Sequence, residues 1–286
     1  SKRRMRWKCP MRKLQRPDFS LLVKWLDKNL KAVTQAGLVL CLALVSVAYI
    51  RLFNPEAFES AFSPASRPLP VYNVETEEKK VAISFDAAWG EEKTGEILKI
   101  LKDHDVHTTF FLVGYWVDKY PDHVKQIADA GHEIGNHSNT HPHMSELSSS
   151  EISQELRALS DKVEKITGTP TTLFRPPYGD YDDQVVLQAR KDGYEVIQWN
   201  VDSLDWKNLG VEPMIQRTTK NLHPGDILLF HNNSQYITQA LPAIIESIQS
   251  QGYQIVPISE LVLSQPYWID HTGMQHAGNA EGGNGQ

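Results

Sequence analysis

Short apolar runs at 80–85, 109–113, 132–135, 172–174, 194–201, 227–230 and 253–257 recur along this chain, and most are followed by a stretch of helical periodicity. Few architectures satisfy that alternation, because parallel strands need a crossover between them and a helix is the usual one. Seven such strands predict a mainly parallel sheet, closed or nearly closed as a barrel. The clearest helix opens on Ser148-Ser-Ser-Glu151, a capping box, carries Ile152, Leu156, Leu159, Val163 and Ile166 on one stripe, and stops at Gly168-Thr-Pro170. Further helices are predicted at 94–102, 122–130, 182–191, 212–221 and 237–251.

Chemical side chains sit where these strands end. Asp86 follows the first strand, His137 and His141 the third, Arg175 the fourth, Asp202 and Asp205 the fifth, and His231 the sixth. In a parallel α/β barrel the carboxyl ends of the strands share one rim, where loops from separate strands assemble the site. The set comprises two imidazoles at metal-ligand spacing, a carboxylate, a guanidinium, a second acid and a third imidazole. That is the inventory of a metal-assisted hydrolase. Each member also has an ordinary reading. Asp86 could be a turn carboxylate, Arg175 a loop pin on backbone carbonyls, His231 a hydrogen-bonded half-buried histidine and Asp202 a cap. His137 and His141, four apart, could aim at one ion from a helical turn or a tight loop, and nitrogen ligands suit zinc, cobalt or nickel. His143, beyond Pro142, reads as a loop residue. Trp89, Tyr115, Trp116 and Tyr181 are candidates either for stacking on sugar faces or for rim packing.

The ordered motifs Phe85-Asp86, His137-Ser-Asn-Thr-His141, Arg175-Pro-Pro-Tyr178, Asp202-Ser-Leu-Asp205-Trp206 and Leu229-Phe-His231 resemble those of the polysaccharide deacetylases, over roughly residues 80–263. The resemblance implies a distorted seven-stranded (β/α) barrel. It also implies Asp86 as general base held by Arg175, the backbone N–H of Tyr178 in an oxyanion hole, and His231 as general acid with its pKa raised by Asp205. Trp206 and Leu229 would line the slot for the acetyl methyl, with Trp89 a further substrate contact. His137 and His141 would hold a divalent metal, zinc foremost, with cobalt, nickel or manganese as alternatives. One departure bears on that metal: the family's Phe-Asp-Asp-Gly is Phe85-Asp86-Ala87-Ala88-Trp89-Gly90 here, so Ala87 stands where the family has an aspartate ligand. Catalytic zinc usually has three protein ligands, and Glu91 or Glu92 are the nearest substitutes. The Ala-Ala-Trp variant looks like the sporulation-type branch of the family. The implied function is removal of N-acetyl groups from cell-wall glycan. A binding or scaffold protein that has lost turnover and an O-acetyl esterase are the alternatives.

The flanks differ from this core. Residues 1–51 carry twelve Lys or Arg against Asp18 and Asp27, leaving 17 Lys or Arg against 33 Asp or Glu for the rest. That acidic balance argues against a nucleic-acid partner for the main domain. The basic tail, 1–31, runs into an apolar anchor at 32–53, whose first nineteen residues would reach nearly 30 Å as a helix, enough to cross a bilayer. The excess of basic residues would keep the N-terminus cytoplasmic and place the domain outside the cell membrane. A cleavable signal is the rival, since Ser46-Val-Ala48 fits a small-x-small site, but the basic region is long for one. A Pro-containing stalk is expected at 54–78, the catalytic domain at 79–265 and a disordered tail at 266–286. The only cysteines, Cys9 and Cys41, precede the domain, which must therefore be held by its core.

Overall fold

The computed structural model of the chain describes residues 20–53 and 67–278. Two compact units are present, 1–65 and 66–286. In the first, helix α1 (Ser20–Phe53) contains the stretch Asp27–Tyr49, long and apolar enough to cross a membrane or to act as a signal sequence. Of the expected basic tail at 1–31, stalk at 54–78 and tail at 266–286, the parts 1–19, 54–66 and 279–286 lie outside the described residues.

The second unit is built on strand β2 (Lys80–Ala87). It pairs with β3 (Thr109–Leu112) on one side and β8 (Ile227–His231) on the other. From β3 the sheet continues through β4 (Glu133–Asn136) and β5 (Leu173–Phe174) to β6 (Glu195–Val196); from β8 it continues to β7 (Val201–Asp202). All these pairs are parallel, and β9 (Gln254–Ile255) adds to the lower part of β2. The seven-strand sheet is curled into the distorted (β/α) barrel that the resemblance implied, in keeping with the nearly closed parallel sheet that the alternation predicted. The expected fifth strand at 194–201 is not continuous: β6 belongs to one edge and β7 to the other. Residues 197–200 between them carry the curl, and there Val71 donates to the carbonyl of Val196 and accepts from Gln198 N, both at 2.8 Å.

Strand alternation gives β2 two apolar faces, each in its own core. Val81, Ile83, Phe85 and Ala87 of β2 pack outward with helix residues such as Ile97, Leu101, Val124, Ile127 and Leu159. Ala82 packs inward with Phe111, Ile197, Ile227 and Val71. The helices lie close to their predicted bounds, at Thr94–Asp103, Pro121–Asp129, Ser149–Thr167, Asp183–Lys191, Val211–Thr219 and Ile237–Ser250. The capping box forms as expected: Ser148 Oγ accepts from Glu151 N at 3.4 Å, and Ser148 N donates to Glu151 Oε2 at 2.8 Å.

The expectations for the domain's two ends need correction. Residues 71–74, placed in the stalk, belong to the fold, and the tail from 266, expected to be disordered, is ordered through Gly278. β10 (Tyr267–Ile269) and β11 (Met274–Ala277) form an antiparallel hairpin, and β11 pairs in parallel with β1 (Asn73–Val74). The two ends of the unit thus hold each other through backbone hydrogen bonds that no local pattern signals.

Candidate active site

The register of the sheet places the first pair of groups. Asp86 on β2 and His231 on β8 are direct partners across neighbouring strands, so both sit at one level of the rim. Asp86 is almost fully buried beside Arg175, which is completely so. Arg175 Nη1 donates to Asp86 Oδ1 at 2.8 Å and Nη2 to the carbonyl of Gln198 at 3.1 Å. The fork is therefore divided between the carboxylate and the backbone. The guanidinium also lies 4.2 Å from the ring centroid of Phe111 and 5.6 Å from that of Trp199. Phe111 can lie there because Gly135 on β4 has no side chain: a Cβ at 135 would come within 2.4 Å of that ring. Burial by itself would raise the Asp86 carboxyl. The charge of Arg175, with smaller contributions from His137 and His231, outweighs it and holds the group below the ordinary carboxylate range.

His231 has the opposite environment. Its Nδ1 hydrogen-bonds Asp205 Oδ1 at 2.7 Å, and its backbone N–H donates to Asp205 Oδ2, also at 2.7 Å. Both oxygens of the buried Asp205 are thus committed to one residue, which fixes the ring orientation. Burial opposes a charge on His231, but the hydrogen bond and charge of Asp205, with Asp86 and Asp202 adding to it, push its pKa above the ordinary imidazole value.

The third wall is the turn after β4, a tight loop and not a helical turn. Asn136 Oδ1 accepts from Ser138 N at 2.9 Å, Ser138 Oγ accepts from His141 N at 2.9 Å, and both Ser138 and His141 have positive φ. Gly114 lets this turn approach, since a Cβ there would meet the Asn139 side-chain oxygen at 2.2 Å. The imidazoles of His137 and His141 meet edge to face with centroids 5.0 Å apart. His137 Nδ1 bonds the carbonyl of Arg175 at 2.7 Å, leaving Nε2 facing Asp86 Oδ2 at 3.5 Å. His141 Nδ1 is buried without a partner. Burial lowers the pKa of His137, and lowers that of His141 to about 4 with help from its neighbour. Neutral imidazole is the form that binds metal.

Those two rings suit a divalent ion, but a third protein ligand is lacking. Among the described residues no group of three or more His, Cys, Asp or Glu is placed to hold a metal. Ala87 packs in the outer core, and it is Ala88 that reaches the cavity wall. Neither glutamate substitutes: Glu91 pairs with His123 at 3.0 Å, and Glu92 Oε2 accepts from Glu91 N at 3.0 Å. Among the described residues the ligands on offer here are the two imidazoles alone.

These groups open on one cavity of about 420 Å³. Besides Asp86, His137, His141 and His231 it is lined by Trp89, Tyr178, Trp206 and Leu229, as the motifs suggested, and by Ala88, Gly179, Trp199 and Asp202. Trp89, Tyr178 and Trp206 are exposed and Leu229 is buried, an apolar floor below an aromatic mouth. Tyr178 has φ 60°, a left-handed conformation in the turn Pro177–Gly179, and its ring lies over His143 with centroids 4.5 Å apart. Asp202 does cap, accepting from Leu204 N at 2.8 Å, while still lining the cavity. Tyr181 bonds Tyr72 and Trp116 is buried, so both pack. Trp199 was missed, although an aromatic residue inside the apolar run 194–201 was the available signal.

A buried carboxylate held below its ordinary range and an imidazole held above its own share one cavity at the carboxyl rim of a curled parallel sheet, where (β/α) barrels assemble their sites. The family model for polysaccharide deacetylase matches residues 73–197. A peptidoglycan-N-acetylglucosamine deacetylase of Bacillus cereus is 35% identical over 196 residues, 67% of this chain and 92% of that protein. The peptidoglycan-N-acetylmuramic acid deacetylase PdaA of Bacillus subtilis is 34% identical over 194 residues, 66% of this chain and 74% of that protein. Among solved structures, a CE4 family pseudoenzyme from Bacillus anthracis superposes with a TM-score of 0.65 at 40% identity, covering 68% of this chain and 69% of its own. A mutant of that pseudoenzyme, described as having restored enzymatic activity, superposes equally well at 41% identity over 68% of this chain and 71% of its own. The chain belongs to the polysaccharide deacetylase family.

Proposed function

We propose that this protein is a membrane-anchored deacetylase that removes N-acetyl groups from cell-wall glycan outside the cell, with α1 as the anchor. The observation that carries the reading is the placing of Asp86, bonded to Arg175, and His231, bonded to Asp205, on one cavity. Hydrolysis of an acetamide needs a base to activate water and an acid to protonate the departing amine. In this reading Asp86, held ionised by Arg175, takes a proton from water as its oxygen bonds to the acetamide carbonyl carbon. The Tyr178 N–H steadies the oxygen that becomes charged. Cleavage of the carbon–nitrogen bond follows as His231 delivers its proton to nitrogen, giving acetate and a free amino sugar. Leu229 and Trp206 enclose the methyl group. A divalent ion on His137 and His141 would add Lewis acidity. With the third ligand missing, none of these steps is routed through it.

The named relatives act on peptidoglycan, which supports N-acetylglucosamine or N-acetylmuramic acid units as substrate. Ala87 and the pseudoenzyme relative favour a second reading, a glycan-binding scaffold without turnover. Acetate release from peptidoglycan and chitooligosaccharide by the purified protein, with and without chelator, separates the two. Release abolished by Asp86→Asn supports the enzyme; no release from either substrate under any metal supports the scaffold.

A further inference from the structure

A second cavity, about 700 Å³, shares no lining residue with the catalytic one. One wall is β10 with Gln265, Asp270 and His271; the other is the extended segment Arg67, Pro68 and Leu69 with Arg190. β10 is the end strand of its three-stranded sheet, and its residues Tyr267, Trp268 and Ile269 are all half-buried. The Trp268 indole is braced from one side: His276 stacks on it at 4.3 Å with the planes 15° apart. His276 is clamped in turn between Glu75 at 2.8 Å and Asp270 at 3.1 Å. The platform is thus held rigidly before any ligand arrives.

Its charges are largely satisfied internally. Glu195 accepts from the Tyr267 hydroxyl and lies 3.5 Å from Arg190, Asp270 faces His276, and Arg67 pairs with Asp183 at 2.7 Å. Arg190 uses Nη2 for the Leu69 carbonyl at 2.7 Å, and none of its hydrogen bonds uses Nη1. What remains for a ligand is an indole surface rimmed by planar polar side chains such as Arg190, Gln265 and His271. A sugar ring has matching chemistry, an apolar face of C–H groups with hydroxyl and acetamido groups around its edge.

We propose that this groove is an accessory binding site for an amino-sugar glycan, stacking one ring on Trp268 and offering Arg190 and Gln265 to its polar edge. The proposal rests on the glycan reading of the catalytic cavity. It adds a second point of attachment, so a long strand engages with higher avidity than a short one.

The test uses the full chain in detergent micelles and reads retention on insoluble chitin alongside acetate release from N-acetylglucosamine trimers. Trp268→Ala is expected to weaken chitin retention roughly tenfold with trimer turnover unchanged, and Trp268→Phe to recover most of the loss. Should Trp268→Ala not fold, Gln265→Ala with His271→Ala carries the test, with a loss of about threefold. Unchanged retention in a folded variant overturns the proposal, as does capture of an extended peptide at this edge in place of chitin. If no acetate is released and retention still depends on Trp268, the catalytic reading fails and the groove stands. If acetate is released and Trp268→Ala binds like wild type, the groove alone fails.

Discussion

The two halves of the catalytic cavity are built to different standards. In the acid–base half every charged group has a partner that fixes it: Asp86 has Arg175, His231 has both oxygens of Asp205, and Arg175 is seated on Phe111. In the imidazole half, His137 is oriented by the Arg175 carbonyl, while among the described residues His141 Nδ1 has no partner and no carboxylate completes the set. The contrast teaches that two walls of one cavity can be secured to different degrees. The buried Asp86–Arg175 pair is secured because loss of either partner would leave an uncompensated buried charge.

The largest effect should come from breaking the complete half. His231→Ala is expected to lower acetate release by about 10²- to 10⁴-fold with the fold intact, and Asp86→Asn to stop it. Wild-type rates in both, measured on folded protein, would remove the acid–base assignment. Arg175→Leu should destabilise by about 3–5 kcal/mol in denaturant titration, because Asp86 would keep a buried charge without its partner. A loss under 1 kcal/mol would show that the pair is not buried as described.

A smaller effect is expected in the pH profile. Asp86, with its pKa lowered, serves as base until the pH falls through that lowered value; His231, with its pKa raised, serves as acid until the pH rises through the raised value. The rate should therefore fall on the alkaline side at a pH above the ordinary imidazole value and on the acid side below the ordinary carboxylate value. Asp205→Asn should bring that alkaline limb downward, as kcat/KM against pH would show; an unmoved limb would mean that Asp205 does not tune His231. The smallest effect lies in the depleted half. Calorimetric titration should show weak zinc binding to wild type, weaker still in His137→Ala. Ala88→Asp, on the cavity wall, should gain more than Ala87→Asp, whose side chain starts in the packed outer layer. Equal affinity in all four would show that the two histidines are not a metal site.

What the sequence determined by itself was periodic or local. The strand–helix alternation, the capping box at Ser148 and the placing of Asp86, His137, Arg175 and His231 at strand ends all follow from spacing, since hydrophobic period and strand polarity send such side chains to one rim. Tertiary structure alone decided matters that depend on partners distant in the chain. The run 194–201 splits because its two ends belong to opposite edges of a curling sheet, and Val71 bridges the place where they part. The hairpin at 267–277 carries little local signal because its strands are only three and four residues long, and β11 gains its order from pairing with residues 73–74, some two hundred positions away. Arg175 divides its donors because the carbonyl of Gln198 is brought beside it by that same curl, a contact that no spacing between residues 175 and 198 encodes. Glu91 and Glu92 lie near Ala87 in sequence yet are turned to His123 and to a backbone N–H, because side-chain direction is set by the packing around a residue and not by its distance along the chain.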